Sequence, residues 1–283
     1  MNIHENITYS EVLKRYRIQL LITLLLLGGL YHSIIANMVT QWYNDSNFSH
    51  GFLVPLIAGY FIYQRLDELK KALVLPNNSG FLIIIAGLLL LIIAYLGTEY
   101  FIMRASLIII LAGMVLYFFG KGVFKILLLP ICYLFLMVPL PYIVYDSVAF
   151  PLKLFVTKYS VLFLKSIGVV VFREGNIIML PNVTLEVVDA CSGIRSLMSL
   201  ITLSVALAFI IKTTNTKKAI IIFSAVPITI FTNGLRVIVT GILAQYYGSE
   251  AAEGFFHEFA GLLVFGLAVL MLVITGIVLK KNR

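Results

Sequence analysis

Eight apolar stretches separated by charged or turn-forming segments constrain this chain more than any other feature. They fall near residues 18–39, 50–64, 80–97, 103–119, 124–140, 193–211, 218–245 and 259–279. A hydrocarbon layer of about 30 Å is crossed by about 20 residues of helix at 1.5 Å each, and a bundle accepts shorter ones. With no water in that layer, each segment has to satisfy its own backbone hydrogen bonds, which a helix does. The expected fold is therefore an all-α membrane protein, a polytopic helical bundle of about eight transmembrane helices. Composition agrees, with 61% hydrophobic and 12% charged residues among 283. The formal net charge of +8 does not point to nucleic acid, because the basic residues punctuate apolar runs and form no single stripe.

Those basic residues set the orientation. Lys14, Arg15 and Arg17; Arg65, Lys70 and Lys71; Lys121 and Lys125; Lys212, Lys217 and Lys218; and Lys280, Lys281 and Arg283 occupy every second connection. Eight spans with both termini in the cytoplasm bring all five clusters to one side, as the positive-inside rule requires. The first apolar stretch continues past Ser33 to about Val39 without a small-residue cleavage site, so it reads as a retained helix. Residues 1–283 are expected to form a single integral membrane domain without an internal repeat.

The longest break, 141–192, is then extracytoplasmic. Asp146 to Ser166 is apolar but carries Lys153, Lys158 and Lys165, which favours an interfacial amphipathic helix over a ninth span. Val169 to Val188 is rich in β-branched residues, with Pro181-Asn182 between two short apolar runs, and predicts a small hairpin. Irregular backbone needs water or protein around it, so the hairpin is expected to cap the outer face of the bundle.

Two cysteines, Cys132 and Cys191, exclude a disulfide framework and suggest free thiols. Cys191 follows Asp189-Ala190 and opens the sixth stretch, with Ser192-Gly193 as the turn into it. Unpaired N–H groups and the positive end of a helix dipole favour a thiolate there. Arg195, four residues on, is one helical turn away and is expected to favour it further. The plainer alternative is a small buried cysteine at a helix start. Cys132 has no charged residue within five positions and receives no chemistry.

Arg236 lies in Asn233-Gly234-Leu235-Arg236, eighteen residues beyond Lys218. That is about 27 Å along a helix, near the outer hydrocarbon boundary. A snorkelling arginine is one reading, but the preceding Thr232, Asn233 and Gly234 cluster polar groups that a lipid-facing anchor does not need. His257 begins the last stretch, and Glu253, four residues earlier, orients its imidazole if the helix starts by Ala251. An interfacial histidine is the alternative, and His50, in Ser49-His50-Gly51-Phe52, is the competing outer-face base. His32 lies deep in the first span and His4 in the tail. Loop Lys and Arg alone set this topology, yet it brings Cys191, Arg236 and His257 to the same face at the ends of three helices. A thiolate, a proton carrier and a fixed cation are the parts of acyl transfer through a thioester.

Glu186 through Leu197, which includes Asp189-Ala190-Cys191-Ser192-Gly193-Ile194-Arg195, then Asn233-Gly234-Leu235-Arg236 and His257, resemble the exosortase and archaeosortase family of membrane sorting enzymes. Ser49-His50-Gly51-Phe52-Leu53-Val54-Pro55-Leu56 and Phe135-Leu136-Met137-Val138-Pro139-Leu140-Pro141 also look like family segments, so the resemblance runs from about residue 42 onward. It implies Cys191 as nucleophile, completed by Arg236 and His257. Histidine at the third position resembles the bacterial exosortases, where archaeosortases more often carry arginine. Because Arg283 follows the last span closely, the extra periplasmic domain fused to some members is not expected.

The resemblance implies an exported protein substrate with a C-terminal sorting tail of the PEP-CTERM kind: a short Pro-Glu-Pro-like motif, a transmembrane helix and a basic cluster. The cleaved protein would pass from Cys191 to an amine on a cell-surface glycan or other acceptor, or to water, at the outer face of the cell (inner) membrane. Neither cofactor nor metal is implied, since no histidine–carboxylate spacing such as His-Glu-x-x-His occurs. A polytopic transporter is the main alternative; it would concentrate ionisable groups near the midplane, whereas Glu99, Arg104 and the candidates above lie toward the rims.

Overall fold

The computed structural model describes residues 9–181, 183–187, 193–211, 213–248 and 255–281, with backbone alone at 10, 13, 247, 255–259 and 281. Two compact units divide the chain, Met1–Pro141 and Tyr142–Arg283.

In the first unit a short helix α1 (Tyr9–Arg15) leads into α2 (Arg17–Asn44), a 3-10 turn (Ser49–Phe52), α3 (Leu53–Tyr63), α4 (Leu66–Lys71), α5 (Ser79–Leu96), α6 (Tyr100–Tyr133) and a second 3-10 turn (Leu134–Met137). The fourth and fifth expected spans are the two halves of α6. They join at Gly120, whose φ of 79° is a left-handed value open to glycine and strained for other residues. The carbonyl of Leu75 occupies the place a Cβ would take there. Packing of α5 on α6 is equally close: the backbone of Tyr117 and Gly113 lies where Gly80 would carry a Cβ. Small residues at such a seam let two helices gain dispersion contacts that lipid cannot replace.

Proline shapes the second half of α6. Pro130 has no N–H to donate to the carbonyl of Ile126 one turn back, and Arg65 Nη1 donates to that carbonyl instead, at 2.7 Å. Around this point Val12 of α1, Leu69 of α4, Val74, Phe119 and Val123 form one cluster. At the start of α6, Glu99 caps the helix by accepting from the N–H of Ile102 at 3.0 Å, and Arg104 Nη1 donates to Gln41 of α2 at 2.8 Å. Glu99 thus secures the first turn of α6, and Arg104 ties α6 to α2.

The second unit contains α7 (Tyr142–Ser166), three strands β1 (Phe172–Glu174), β2 (Ile177–Met179) and β3 (Thr184–Glu186), then α8 (Ile194–Ile210), α9 (Asn215–Tyr247) and α10 (Phe255–Lys281). The strands form an antiparallel meander in the order β1-β2-β3. The expected hairpin is β2–β3, turning at Pro181, with Leu180 and Val183 exchanging both backbone hydrogen bonds. Sequence reading missed β1, which joins β2 through a Gly175-Asn176 turn with Gly175 at φ 59°. Gly-Asn is a turn signal in its own right.

Helix α9 is the hub of this unit, since α7, α8 and α10 all pack on it. One cluster joins Val156, Val161 and Leu164 of α7 to Ile178, Leu180 and Val187 of the sheet region and Val237 and Ala244 of α9. Another joins Leu200 and Ala208 of α8, Ile221, Ala225 and Ile228 of α9, and Ala268 and Leu272 of α10.

Among the described residues six helices are long and apolar enough to cross a membrane: α2, α5, α6 with its following turn, α7, α9 and α10, while α8 is shorter. Together with α3, all eight expected apolar stretches are helical, and the protein is a polytopic all-α membrane protein. Residues 146–166, expected to lie in the interface, belong to α7, whose length and composition also suffice to cross. Its buried residues Val156, Val161 and Leu164 meet Val237 and Ala244 of α9.

Candidate functional site

The site expected from sequence centres on the start of α8. Gly193 is the residue before the helix, with φ 82° and ψ −7°, and its carbonyl accepts from the N–H of Leu197 and the hydroxyl of Ser196, both at 2.8 Å. A left-handed residue here costs an L side chain about 1–2 kcal/mol, which accounts for glycine. Cys191 and Ser192 lie immediately before it and outside the described residues.

The expected one-turn relation between Cys191 and Arg195 involves a residue outside the described ones; helix α8 itself starts at Ile194. Arg195 is half-buried in the first turn of α8, where a cation faces the unfavourable end of the helix dipole.

Helix α9 meets the start of α8 through Asn233, which is 3% exposed. A Cβ on Gly193 would lie 3.1 Å from the Cγ and Nδ2 of Asn233 and 3.2 Å from its Cβ. Glycine is therefore required twice at 193, for its backbone angle and for this side chain. One turn later on α9, the guanidinium of half-buried Arg236 lies beside α10. A Cβ on Gly261 would stand 3.2 Å from Nη2, 3.4 Å from Cζ and 3.6 Å from Nη1. Residue 257 lies one turn before Gly261 in the same continuous helix, while Glu253 lies outside the described residues.

Two further contacts are not visible in the sequence. Gly261 is legible there only as a small residue one turn after His257. Ser160 of α7, 2% exposed, donates its hydroxyl to the carbonyl of Gly234 at 3.3 Å, which ties α7 to the Asn233–Arg236 motif. No sequence signal marks that serine.

His50 belongs to the first unit. It sits in the 3-10 turn between α2 and α3, 7% exposed, beside Gly51, whose missing side chain makes room for the ring of Trp42. Trp42 Nε1 donates to the carbonyl of Met137 at 2.9 Å. Burial pulls the His50 pKa below its ordinary value, against the opposing pull of the Leu136 and Asn47 carbonyls. Cys132, the other thiol, is exposed on an apolar helix face. Among the described residues no group of three or more histidine, cysteine and carboxylate side chains is placed to hold a metal ion.

A bundle of apolar helices with a small sheet, in which the start of one helix, a buried polar motif on a second and the first turns of a third converge, defines a polytopic membrane protein with a polar centre in its second unit. The family model for the transmembrane exosortase matches residues 42–274, and the chain belongs to that family. No curated protein matches the chain. No solved structure matches it either. The family match favours a protein of the exosortase type over the transporter considered above.

Proposed function

We propose that the chain is a membrane-embedded cysteine transpeptidase that cleaves the C-terminal sorting tail of exported proteins and transfers them to a cell-surface acceptor. Cys191 is the nucleophile, Arg236 the fixed cation and His257 the proton carrier; Arg195, Asn233 and Glu253 support them, and His50 is the alternative base. The carrying observation is the pair of glycine contacts: Gly193, two residues from Cys191, lies under Asn233, and Gly261, one turn from residue 257, lies under Arg236. Helix α9 thus joins the neighbourhoods of the cysteine and the histidine.

The thiolate of Cys191 attacks the carbonyl carbon of the scissile peptide, and the oxyanion that forms is held by the Arg236 guanidinium. The C–N bond breaks as His257 gives its proton to the leaving amine, which departs with the tail. The remaining thioester is attacked by an acceptor amine, or by water, which loses a proton to His257. The C–S bond then breaks and the thiolate returns. The alternation of basic connections supports the placing of residues 141–192 and this chemistry at the outer face of a bacterial inner membrane, within a single integral domain.

The test is the size shift of a tailed reporter protein in cells making each variant at equal membrane levels. Cys191→Ala abolishes processing, and Cys191→Ser nearly so, because a serine hydroxyl lacks the low pKa that gives a free thiolate. Wild-type processing by Cys191→Ala ends the reading.

A further inference from the structure

Among the described residues the meander ends at β3, the strand that precedes the cysteine motif in the sequence, with no strand paired on its outer edge. Leu180 and Val183 exchange hydrogen bonds at 2.9 and 3.4 Å, and Val187 donates to Asn176 at 3.0 Å. In an antiparallel pair, bonded residues alternate with residues whose N–H and C=O point the other way. Residues 183, 185 and 187 therefore face β2, and the backbone N–H and C=O of Thr184 and Glu186 face outward. The sheet order β1-β2-β3 places no described strand on that side.

The location of this edge matters. Val183, Leu185 and Val187 pack inward on the cluster that contains Val237, next to Arg236, while the side chains of Thr184 and Glu186 are exposed. The chain then needs five residues to pass from Glu186 to Cys191, a reach of at most about 17 Å. A row of outward donors and acceptors with a strand's spacing recognises one chemistry, an extended polypeptide backbone, by adding it to the sheet.

We infer that the outer edge of β3 binds the peptide segment flanking the scissile bond as a fourth strand, within about five residues of that bond, the span set by the same reach. The inference rests on the peptidase reading and deepens it. Recognition through backbone places the substrate by hydrogen bonds at every second residue and leaves its side chains to be selected elsewhere. It also explains a use for a sheet in a protein otherwise built of apolar helices.

The experiment uses the full chain in detergent or nanodiscs and synthetic peptides copied from the processed region of the tailed reporter, with single backbone N–H groups methylated one residue at a time. Methylation is expected to lower kcat/KM at alternate residues by about three- to tenfold, the span of one backbone hydrogen bond, and to leave the residues between them near the parent value. Thr184→Pro, which removes one outward N–H, lowers kcat/KM by a similar factor and removes the alternation at its partner residue. Arg173→Pro, at the outward position of the opposite edge, leaves both unchanged. The peptide series does not depend on whether a proline variant folds. Cleavage by the wild type with no period-two pattern overturns the edge-binding inference and leaves the peptidase standing. A wild type that leaves the reporter as intact as Cys191→Ala does overturns both.

Discussion

The guanidinium of Arg236 on α9 occupies the space that a side chain on Gly261 of α10 would enter, with Nη2 3.2 Å from where a Cβ on the glycine would stand. An alanine at 261 therefore has to move the guanidinium or part the helices. On the same helix, Gly266 has nothing within 4 Å of its Cβ position, whereas a Cβ on Gly276 would meet Ile211 at 2.7 Å and Leu207 at 3.1 Å.

These three glycines give a graded test of the proposed cation. Gly261→Ala is expected to lower kcat by about threefold or more, because the added methyl group pushes the guanidinium aside by a few tenths of an ångström and charge stabilisation depends on its position. Gly266→Ala leaves activity unchanged and gains up to about 1 kcal/mol of helix propensity. Gly276→Ala lowers the melting temperature by crowding α8, without the kinetic signature of Gly261→Ala. Reporter processing and thermal unfolding of the purified variants separate the outcomes, and equal activity in Gly261→Ala and Gly266→Ala removes Arg236 from the chemistry.

The Arg65–Ile126 hydrogen bond is a repair of the defect left by Pro130, and a double-mutant cycle reads it directly. Arg65→Met is expected to cost about 1.5–3 kcal/mol, the range for a hydrogen bond to a charged group. In a Pro130→Ala background residue 130 regains an N–H for the Ile126 carbonyl, so the same change is expected to cost less than about 1 kcal/mol. Denaturation in mixed micelles measures both. An equal cost in the two backgrounds assigns Arg65 to packing or surface charge and not to the carbonyl.

Much of this architecture is legible in the residues because its dominant driving force, burial in lipid, acts on composition. The eight apolar stretches, the break at Gly120 and the turn at Pro181 all follow from apolar runs and from residues that interrupt them. Contacts between elements are a different matter. Gly193 reads as a turn, but neither its left-handed angle nor the fit of Asn233 against it is visible in sequence. The seat at Gly261, the Ser160–Gly234 bond and the Arg65 repair arise only when separate helices meet. The strand β1 is the exception, since Gly175-Asn176 signals its turn.

A thiol-labelling experiment addresses orientation. If the basic clusters face the cytoplasm, a membrane-impermeant maleimide modifies Cys191 in spheroplasts with an opened outer membrane. Cys132, exposed on an apolar stretch of α6, remains unmodified because a charged, membrane-impermeant reagent does not enter the hydrocarbon around it. The masses of proteolytic peptides from the labelled protein assign the modification to Cys191 or to Cys132. Modification of Cys191 only after the inner membrane is permeabilised reverses the assigned topology.

His50 gives the folded protein a pH dependence whose sign follows from its burial. Its pKa in the folded state is depressed by desolvation, whereas in the unfolded chain it titrates near about 6.5. Below that value the unfolded chain takes up a proton that the folded protein refuses, so the unfolded state gains. The stability contributed by neutral His50 is complete above the unfolded value and is lost as the pH falls from there through the folded one. His50→Gln keeps a polar side chain of similar reach but cannot titrate. Melting temperatures of wild type and variant in nanodiscs are therefore expected to run parallel from about pH 8 to about 7 and to diverge below about 6.5, with the wild type falling faster. Parallel curves throughout that range would place the imidazole in an environment as wet as that of the unfolded chain, in conflict with its packing beside Gly51 and the Leu136 carbonyl.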